Sequence, residues 1–173
     1  FSLSKLRNDC SVKYYSKIKK FKMYNILFKC PFTAMVCGAT GSGKTTLIKN
    51  LIYYKDILFS SKPAKVIIFY TEYQKIYEEI LKSGLVDELV ELDEKMINLE
   101  NYKEKILPNK DKGGTLCVFD DCMELIDTTN SKMFTRISHH YNCNTIFITH
   151  AVFMSKNEAY KMMSKNVKYF FMM

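Results

Sequence analysis

The sequence is poor in the residue types that mark several structural classes. It has no tryptophan, three prolines and six glycines among 173 residues, which excludes collagen-like and other proline- and glycine-rich chains. Its apolar runs fall short of the roughly 18 residues that a membrane-spanning helix needs, and we expect no secretory signal peptide. We therefore expect an intracellular protein that has no membrane partner.

Cysteine patterns typical of disulfide-rich or metal-binding domains are also missing. The six cysteines include no Cys-x-x-Cys pair, and most have apolar neighbours. The segment His139-His140-x-x-Cys143 has no second half at zinc-ligand spacing. The sequence therefore predicts reduced, buried thiols rather than a disulfide framework or a zinc site.

Arginine is scarce although the chain is basic. Of 26 basic residues 24 are lysine, which leaves Arg7 and Arg136, and the net charge is +8. Residues 1–65 carry a net charge of +11, residues 66–128 of −8 and residues 129–173 of +5. This asymmetry favours a polyanionic partner, with solvated lysines in a lysine-rich chain as the alternative.

Apolar periodicity predicts one α/β domain over residues 31–173, preceded by a basic segment over 1–30. The chain stops inside an apolar run, so we expect this domain to be incomplete at its C-terminus. Residues 85–112 are expected to hold short helices and loops ending near Pro108. Buried strands alternate with helices elsewhere, which indicates a parallel sheet covered on both faces. The strands are predicted over 33–37, 66–70, 115–119, 145–149 and from 167, and the helices over 44–54, 74–82, 131–141 and 156–164.

Half of the glycines lie within six consecutive positions. The segment Gly38-Ala39-Thr40-Gly41-Ser42-Gly43-Lys44-Thr45 matches the phosphate-binding loop pattern GxxxxGK[ST] between a predicted strand and helix. Such a loop cradles phosphate with backbone N–H groups at a helix N-terminus. We expect ATP and Mg²⁺ as cofactors, with Lys44 bridging the β- and γ-phosphates, Thr45 ligating the metal and Thr46 completing the site.

Polar residues at two other strand ends are candidates for the rest of the site. Asp120 is predicted to organise Mg²⁺, and Asp121 to orient the attacking water, with Glu124 as the alternative base. His150, after the fourth strand, is predicted to sense the γ-phosphate. Arg136 suits transition-state stabilisation in a neighbouring subunit, although a salt bridge or a solvated side chain is an equal alternative.

Other phosphate-loop families fit less well. The segment Asn109-Lys110-Asp111-Lys112 has lysine where a guanine-reading loop needs aspartate. Nucleoside kinases carry several lid arginines, and this chain has one arginine after the loop. A phosphotransferase acting on a small molecule and a nucleotide-binding module without hydrolysis stay open as alternatives.

Four segments, residues 31–38, 66–79, 119–123 and 138–150, resemble the DNA-packaging ATPases of Polinton/Maverick elements and large DNA viruses, in the FtsK–HerA group of P-loop motors. The resemblance implies a RecA-like three-layer fold with strand order 5-1-4-3-2. It also implies a homo-oligomeric ring that drives double-stranded DNA into a capsid, with a capsid or portal-type partner. The expected location is then the host nucleus or cytoplasm, and the virion during packaging.

Overall fold

The computed structural model of the protein describes residues 27–92, 103–122, 125, 131, 136, 138–150 and 158–173. Strands and helices alternate along these residues, as the apolar pattern predicts. In chain order they are β1 (Thr33–Cys37), α1 (Lys44–Tyr53), α2 (Lys55–Leu58), β2 (Lys65–Tyr70), α3 (Lys75–Lys82), β3 (Glu88–Glu91), α4 (Lys103–Ile106), a 3₁₀ helix (Leu107–Lys112), β4 (Thr115–Asp120), β5 (Cys143–Thr149), α5 (Glu158–Ser164) and β6 (Tyr169–Met172). Of the helix predicted over 131–141, the described residues 131, 136 and 138–140 are helical.

The six strands form one sheet in the order β3-β2-β4-β5-β1-β6, and every neighbouring pair is parallel. The α/β class is therefore confirmed. The five predicted strands keep the order that the resemblance implies, and β3 is added at the edge beyond β2. The strand that ends at Thr149 lies between the strand before the phosphate-binding loop and the strand that ends at Asp120.

Two apolar clusters cover the two faces of the sheet. Successive residues of β4 enter opposite clusters because side chains alternate along a strand. One cluster joins the sheet to α5, and the other joins it to α1 and α3, so the domain has three layers. The α5 side includes Cys117, Phe119, Phe147, Tyr160 and Met163, and the α1–α3 side includes Leu116, Val118, Ile48, Ile52 and Ile80.

The prediction for residues 85–112 is wrong in one respect. Glu88–Glu91 forms β3, where short helices and loops were expected, and the 3₁₀ helix continues past Pro108 to Lys112. The strand has two apolar residues between two glutamates, so its sequence carries little strand signal. Pairing with β2 and the ion pair between Lys65 and Glu88 (2.9 Å) hold it at the sheet edge.

The prediction of buried cysteines is confirmed for four of the five in the described part of the chain. Its five cysteines are free, four of them buried and Cys30 half-buried. Among the same residues, none of the helices could span a membrane.

Candidate active site

The strand register brings three loops to one edge of the sheet. Cys37 pairs with Thr149, and Asp120 pairs with Ile148, so β1, β4 and β5 end at nearly the same level. The residues that follow these three strands are Gly38, Asp121 and His150. Ligands of open parallel sheets bind outside the carboxyl ends of the strands. The candidate site therefore lies at this edge.

The loop after β1 has the backbone of a tight anion-binding turn. Gly41 and Gly43 have φ angles of 77° and 92°, in a region that side chains rarely adopt. Gly43 is the N-cap of α1, and no side chain caps this helix N-terminus. Ser42 Oγ is buried and has no hydrogen-bond partner among the described residues. Uncapped N–H groups and an unpartnered hydroxyl suit a phosphate group.

Lys44, His150 and Asp121 form a continuous chain of hydrogen bonds. The Lys44 side chain is 7% exposed, and its Nζ donates to the carbonyl oxygens of Gly38 and Ala39, each at 2.9 Å. Nζ also lies 3.1 Å from His150 Nδ1, and His150 Nε2 lies 2.8 Å from Asp121 Oδ2. Because an ammonium can only donate, Nδ1 accepts and Nε2 carries the ring proton that Asp121 accepts. These hydrogen bonds link the phosphate-binding loop to the ends of β5 and β4.

Asp120 is a buried carboxylate with one direct partner on α3. The residue is 4% exposed, and Tyr77, itself 1% exposed, donates its hydroxyl hydrogen bond to Asp120 Oδ2. Burial raises the pKa of Asp120, the Tyr77 hydrogen bond lowers it, and the neighbouring Asp121 raises it. Burial and the nearby Asp120 charge raise the pKa of the Tyr77 hydroxyl well above its usual range. Tyr77 therefore stays a hydrogen-bond donor.

Thr45 also has a partner on the segment that leads into α3. Its hydroxyl donates to Gln74 Oε1 at 3.3 Å. Sequence reasoning missed both Gln74 and Tyr77 as site residues, because the pattern places Tyr77 on the apolar face of a helix and gives Gln74 no role. The only signal was their inclusion in the segment that resembles packaging ATPases, which names no role for either.

The other predicted site residues make none of these hydrogen bonds through their side chains in the part of the molecule that the structure describes. Ala39 and Thr40 in the loop, and Thr46 in α1, are exposed. Arg136 is helical and exposed, and among the described residues no hydrogen bond or ion pair joins it to the site. Glu124 lies outside the described residues. The geometry thus groups Lys44, Thr45, Asp120, Asp121 and His150, and leaves Arg136 and Glu124 as predictions.

The grouped residues fit a nucleoside triphosphate with Mg²⁺. A Cβ on Gly38 would lie 2.7 Å from Ser42 Oγ and 2.8 Å from the Met173 carbonyl oxygen, so the loop backbone needs glycine there. The unpartnered Ser42 hydroxyl, the uncapped helix and the Lys44 ammonium are donors for phosphate oxygens. The Thr45 hydroxyl and the Asp120 carboxylate are oxygen ligands of the kind that Mg²⁺ prefers.

Comparison with known proteins supports the fold. No protein-family model matches the sequence, and neither does any curated protein. Several solved structures share the architecture. The flagellar accessory protein FlaH of Methanocaldococcus jannaschii matches at TM-score 0.53 and 11% identity, over 84% of this chain and 72% of that one. The chain has a P-loop NTPase fold.

Two further structures agree with this assignment. The KaiC-like protein PH0186 of Pyrococcus horikoshii matches at TM-score 0.51 and 17% identity, over 82% of this chain and 74% of that one. The cytoplasmic domain of EssC matches at TM-score 0.55 and 17% identity, over 82% of this chain. The match spans 31% of the EssC chain, so the shared fold corresponds to one part of that larger chain.

Proposed function

We propose that the protein is an ATP-hydrolysing motor that translocates double-stranded DNA, and that its task is to package viral or transposon DNA into a capsid. The observation that carries the ATPase part is the chain of contacts from Lys44 through His150 to Asp121 at the ends of three adjacent strands. It supports a proposal in which Lys44 binds phosphate, His150 acts as a polar sensor and Asp121 is the base.

Each residue of the site has a role in this proposal. Residues 38–46 hold the triphosphate, Lys44 neutralises the β- and γ-phosphates, and Thr45 and Asp120 hold Mg²⁺. When bound, the metal withdraws negative charge from the phosphate oxygens. Asp121 accepts a proton from water, and His150, which contacts both Lys44 and Asp121, reports whether the γ-phosphate is present.

The DNA part of the proposal is supported by charge and by the resemblance to packaging ATPases. Residues 1–65 carry a net charge of +11, which suits a polyanion. A packaging motor of this kind works as a homo-oligomeric ring docked on a capsid or portal-type partner, and Arg136 would act on the site of the adjacent subunit. Lysine contacts to DNA phosphates release counterions, so the interaction weakens steeply as salt rises.

ATP turnover with and without duplex DNA, at several salt concentrations, tests the proposal. We expect DNA to stimulate phosphate release at low salt, and the stimulation to fade as salt rises. A rate that DNA does not change, together with phosphate transfer to a nucleoside, would replace the motor with a phosphotransferase. If the protein binds nucleotide but does not hydrolyse it, the protein is a nucleotide-binding module and not an enzyme.

A further inference from the structure

We propose that the N-terminal turn of α3 positions both metal-binding side chains of the site, through Gln74 and Tyr77. This inference rests on the proposed function, because it takes Thr45 and Asp120 as the residues that would hold Mg²⁺. Gln74 and Tyr77 belong neither to the phosphate-binding loop nor to the acidic strand. They are positioning residues, which would act on the metal through its ligands.

Tyr77 fixes the carboxylate of Asp120. Its hydroxyl donates to Asp120 Oδ2, and both residues are buried. The ring of Tyr77 packs against Tyr70 and Tyr73, with centroids 5.3 Å and 6.1 Å away, so the donor belongs to a packed aromatic group. The bond occupies one carboxylate oxygen, which leaves the other available to a metal ion or its bound water.

Gln74 fixes the hydroxyl of Thr45. A hydroxyl has one proton and two lone pairs, and Thr45 gives its proton to Gln74 Oε1. This arrangement leaves the lone pairs of the hydroxyl oxygen available for a cation. Gln74 is the residue before α3, yet its side chain makes no capping bond to its own helix. The side chain is instead engaged with the phosphate-binding loop.

The two contacts come from the N-cap and the first turn of α3. The Tyr77 N–H donates to the Gln74 carbonyl oxygen at 2.9 Å, which holds the two residues close together at the start of the helix. One reaches a ligand that follows β1, and the other reaches a ligand at the end of β4. The start of α3 therefore sets the relative positions of two oxygen ligands supplied by separate strands, as outer-shell residues do in known metal sites.

Tyr77→Phe tests the first contact, with Tyr70→Phe as the matched control from the same aromatic group. The probes are ADP affinity without metal, and the affinity of the protein–ADP complex for Mn²⁺ measured by electron paramagnetic resonance. We expect Tyr77→Phe to weaken Mn²⁺ binding by about tenfold or more, with metal-free ADP affinity unchanged. Tyr70→Phe should match the wild type in both measurements.

Gln74→Leu tests the second contact without risk to folding, because Gln74 is exposed. It should weaken Mn²⁺ binding in the same way, whereas Gln74→Glu, which keeps an acceptor for Thr45, should not. Wild-type Mn²⁺ affinity in both Tyr77→Phe and Gln74→Leu would overturn the positioning role and leave the nucleotide site standing. A wild-type protein that binds no ADP would instead overturn the proposed function, and this inference with it. If Tyr77→Phe fails to fold, the Mn²⁺ affinities of Gln74→Leu and Gln74→Glu decide whether the start of α3 has the positioning role.

Discussion

Asp120 shows at the scale of one residue how a functional side chain opposes folding. The residue is 4% exposed, and burial raises the pKa of its carboxyl above the usual range even though Tyr77 donates a hydrogen bond to it. At neutral pH an ionised group in such a place costs folding free energy unless a cation or enough donors surround it. Of the neighbouring charges, Asp121 raises the pKa and Lys44 lowers it.

Asp120→Asn should therefore stabilise the metal-free protein while removing the carboxylate that is proposed to hold Mg²⁺. The folded pKa of Asp120 lies above its unfolded value, so between the two values the folded wild type binds more protons and loses stability as pH rises. Asparagine keeps an acceptor for Tyr77 and carries no charge. We expect the variant to gain about 1 kcal/mol or more over the wild type at neutral pH, and less in acid.

Urea unfolding of both proteins in chelator, at about pH 4 and about pH 8, measures this difference. A variant that is less stable than the wild type at the higher pH would show that Asp120 stabilises the empty site.

Asp121 is the predicted base, and its variant should separate binding from chemistry. Asp121→Asn keeps the size of the side chain and a hydrogen-bond acceptor for His150. We expect near-normal nucleotide affinity and a loss of about 10² to 10⁴ in the rate of hydrolysis. Phosphate release and nucleotide titration measure the two effects. Glu124→Gln is the paired comparison, and if only that variant loses hydrolysis, the base is Glu124.

At the scale of elements, the start of β4 depends on a close backbone approach. Gly114 has a φ of 78°, and a Cβ there would lie 1.7 Å from the Asn142 carbonyl oxygen, just before β5. Gly84, after α3, has a similar φ of 69°, but a Cβ there would meet nothing within 4 Å. Replacing either glycine by alanine forces a left-handed backbone on the new residue. Only at Gly114 does the added Cβ also clash with a neighbouring atom.

Gly84→Ala should lower the free energy of unfolding by about 1 kcal/mol, the cost of a left-handed alanine. Gly114→Ala adds the clash with Asn142 and should cost about 3 kcal/mol or more. Chemical denaturation of both variants measures the gap. If both variants lost the same free energy of unfolding, the backbone at Asn142 could move away from residue 114 at no cost. That result would contradict the close packing between the starts of β4 and β5.

The elements differ in how far the sequence could predict them. Strands such as β4 are continuous apolar runs, and the phosphate-binding loop has its own glycine spacing, so both are predictable. β3 is not, because Glu88–Glu91 is short and acidic and becomes a strand only by pairing with β2. The contacts of Gln74 and Tyr77 are equally hidden, since their partners are 29 and 43 residues away. Local periodicity marks Tyr77 as core, and its hydroxyl reaches the site only after α3 packs on the sheet.

At the scale of the whole molecule, the exposed Arg136 bears on the proposed ring. If it acts on the neighbouring subunit, Arg136→Ala and Lys44→Ala damage different halves of one shared site. We expect Arg136→Ala alone to lose about 10³-fold in ATP turnover. Mixing the two inactive variants should restore part of the activity, because some interfaces then pair an intact loop with an intact arginine.

Phosphate release by each variant and by the mixture measures this complementation. A mixture no more active than its two components, or an Arg136→Ala protein with the wild-type rate, would remove the trans-acting role. Arg136 would then be a solvated or ion-paired side chain, the alternative that its sequence position leaves open.

Lys44→Ala tests whether the loop at residues 38–46 binds ATP and supports its hydrolysis, as proposed. Lys44 is buried and donates to two loop carbonyls, whereas Lys49 on the same helix makes a surface ion pair with Glu79 at 3.2 Å and is the matched control for lost charge. The measurement is phosphate release from ATP in Mg²⁺ by the wild type and both variants. We predict that Lys44→Ala lowers the rate by about 100-fold or more and that Lys49→Ala does not. A Lys44→Ala protein that hydrolyses ATP at the wild-type rate would contradict the proposed role of this loop in ATP hydrolysis.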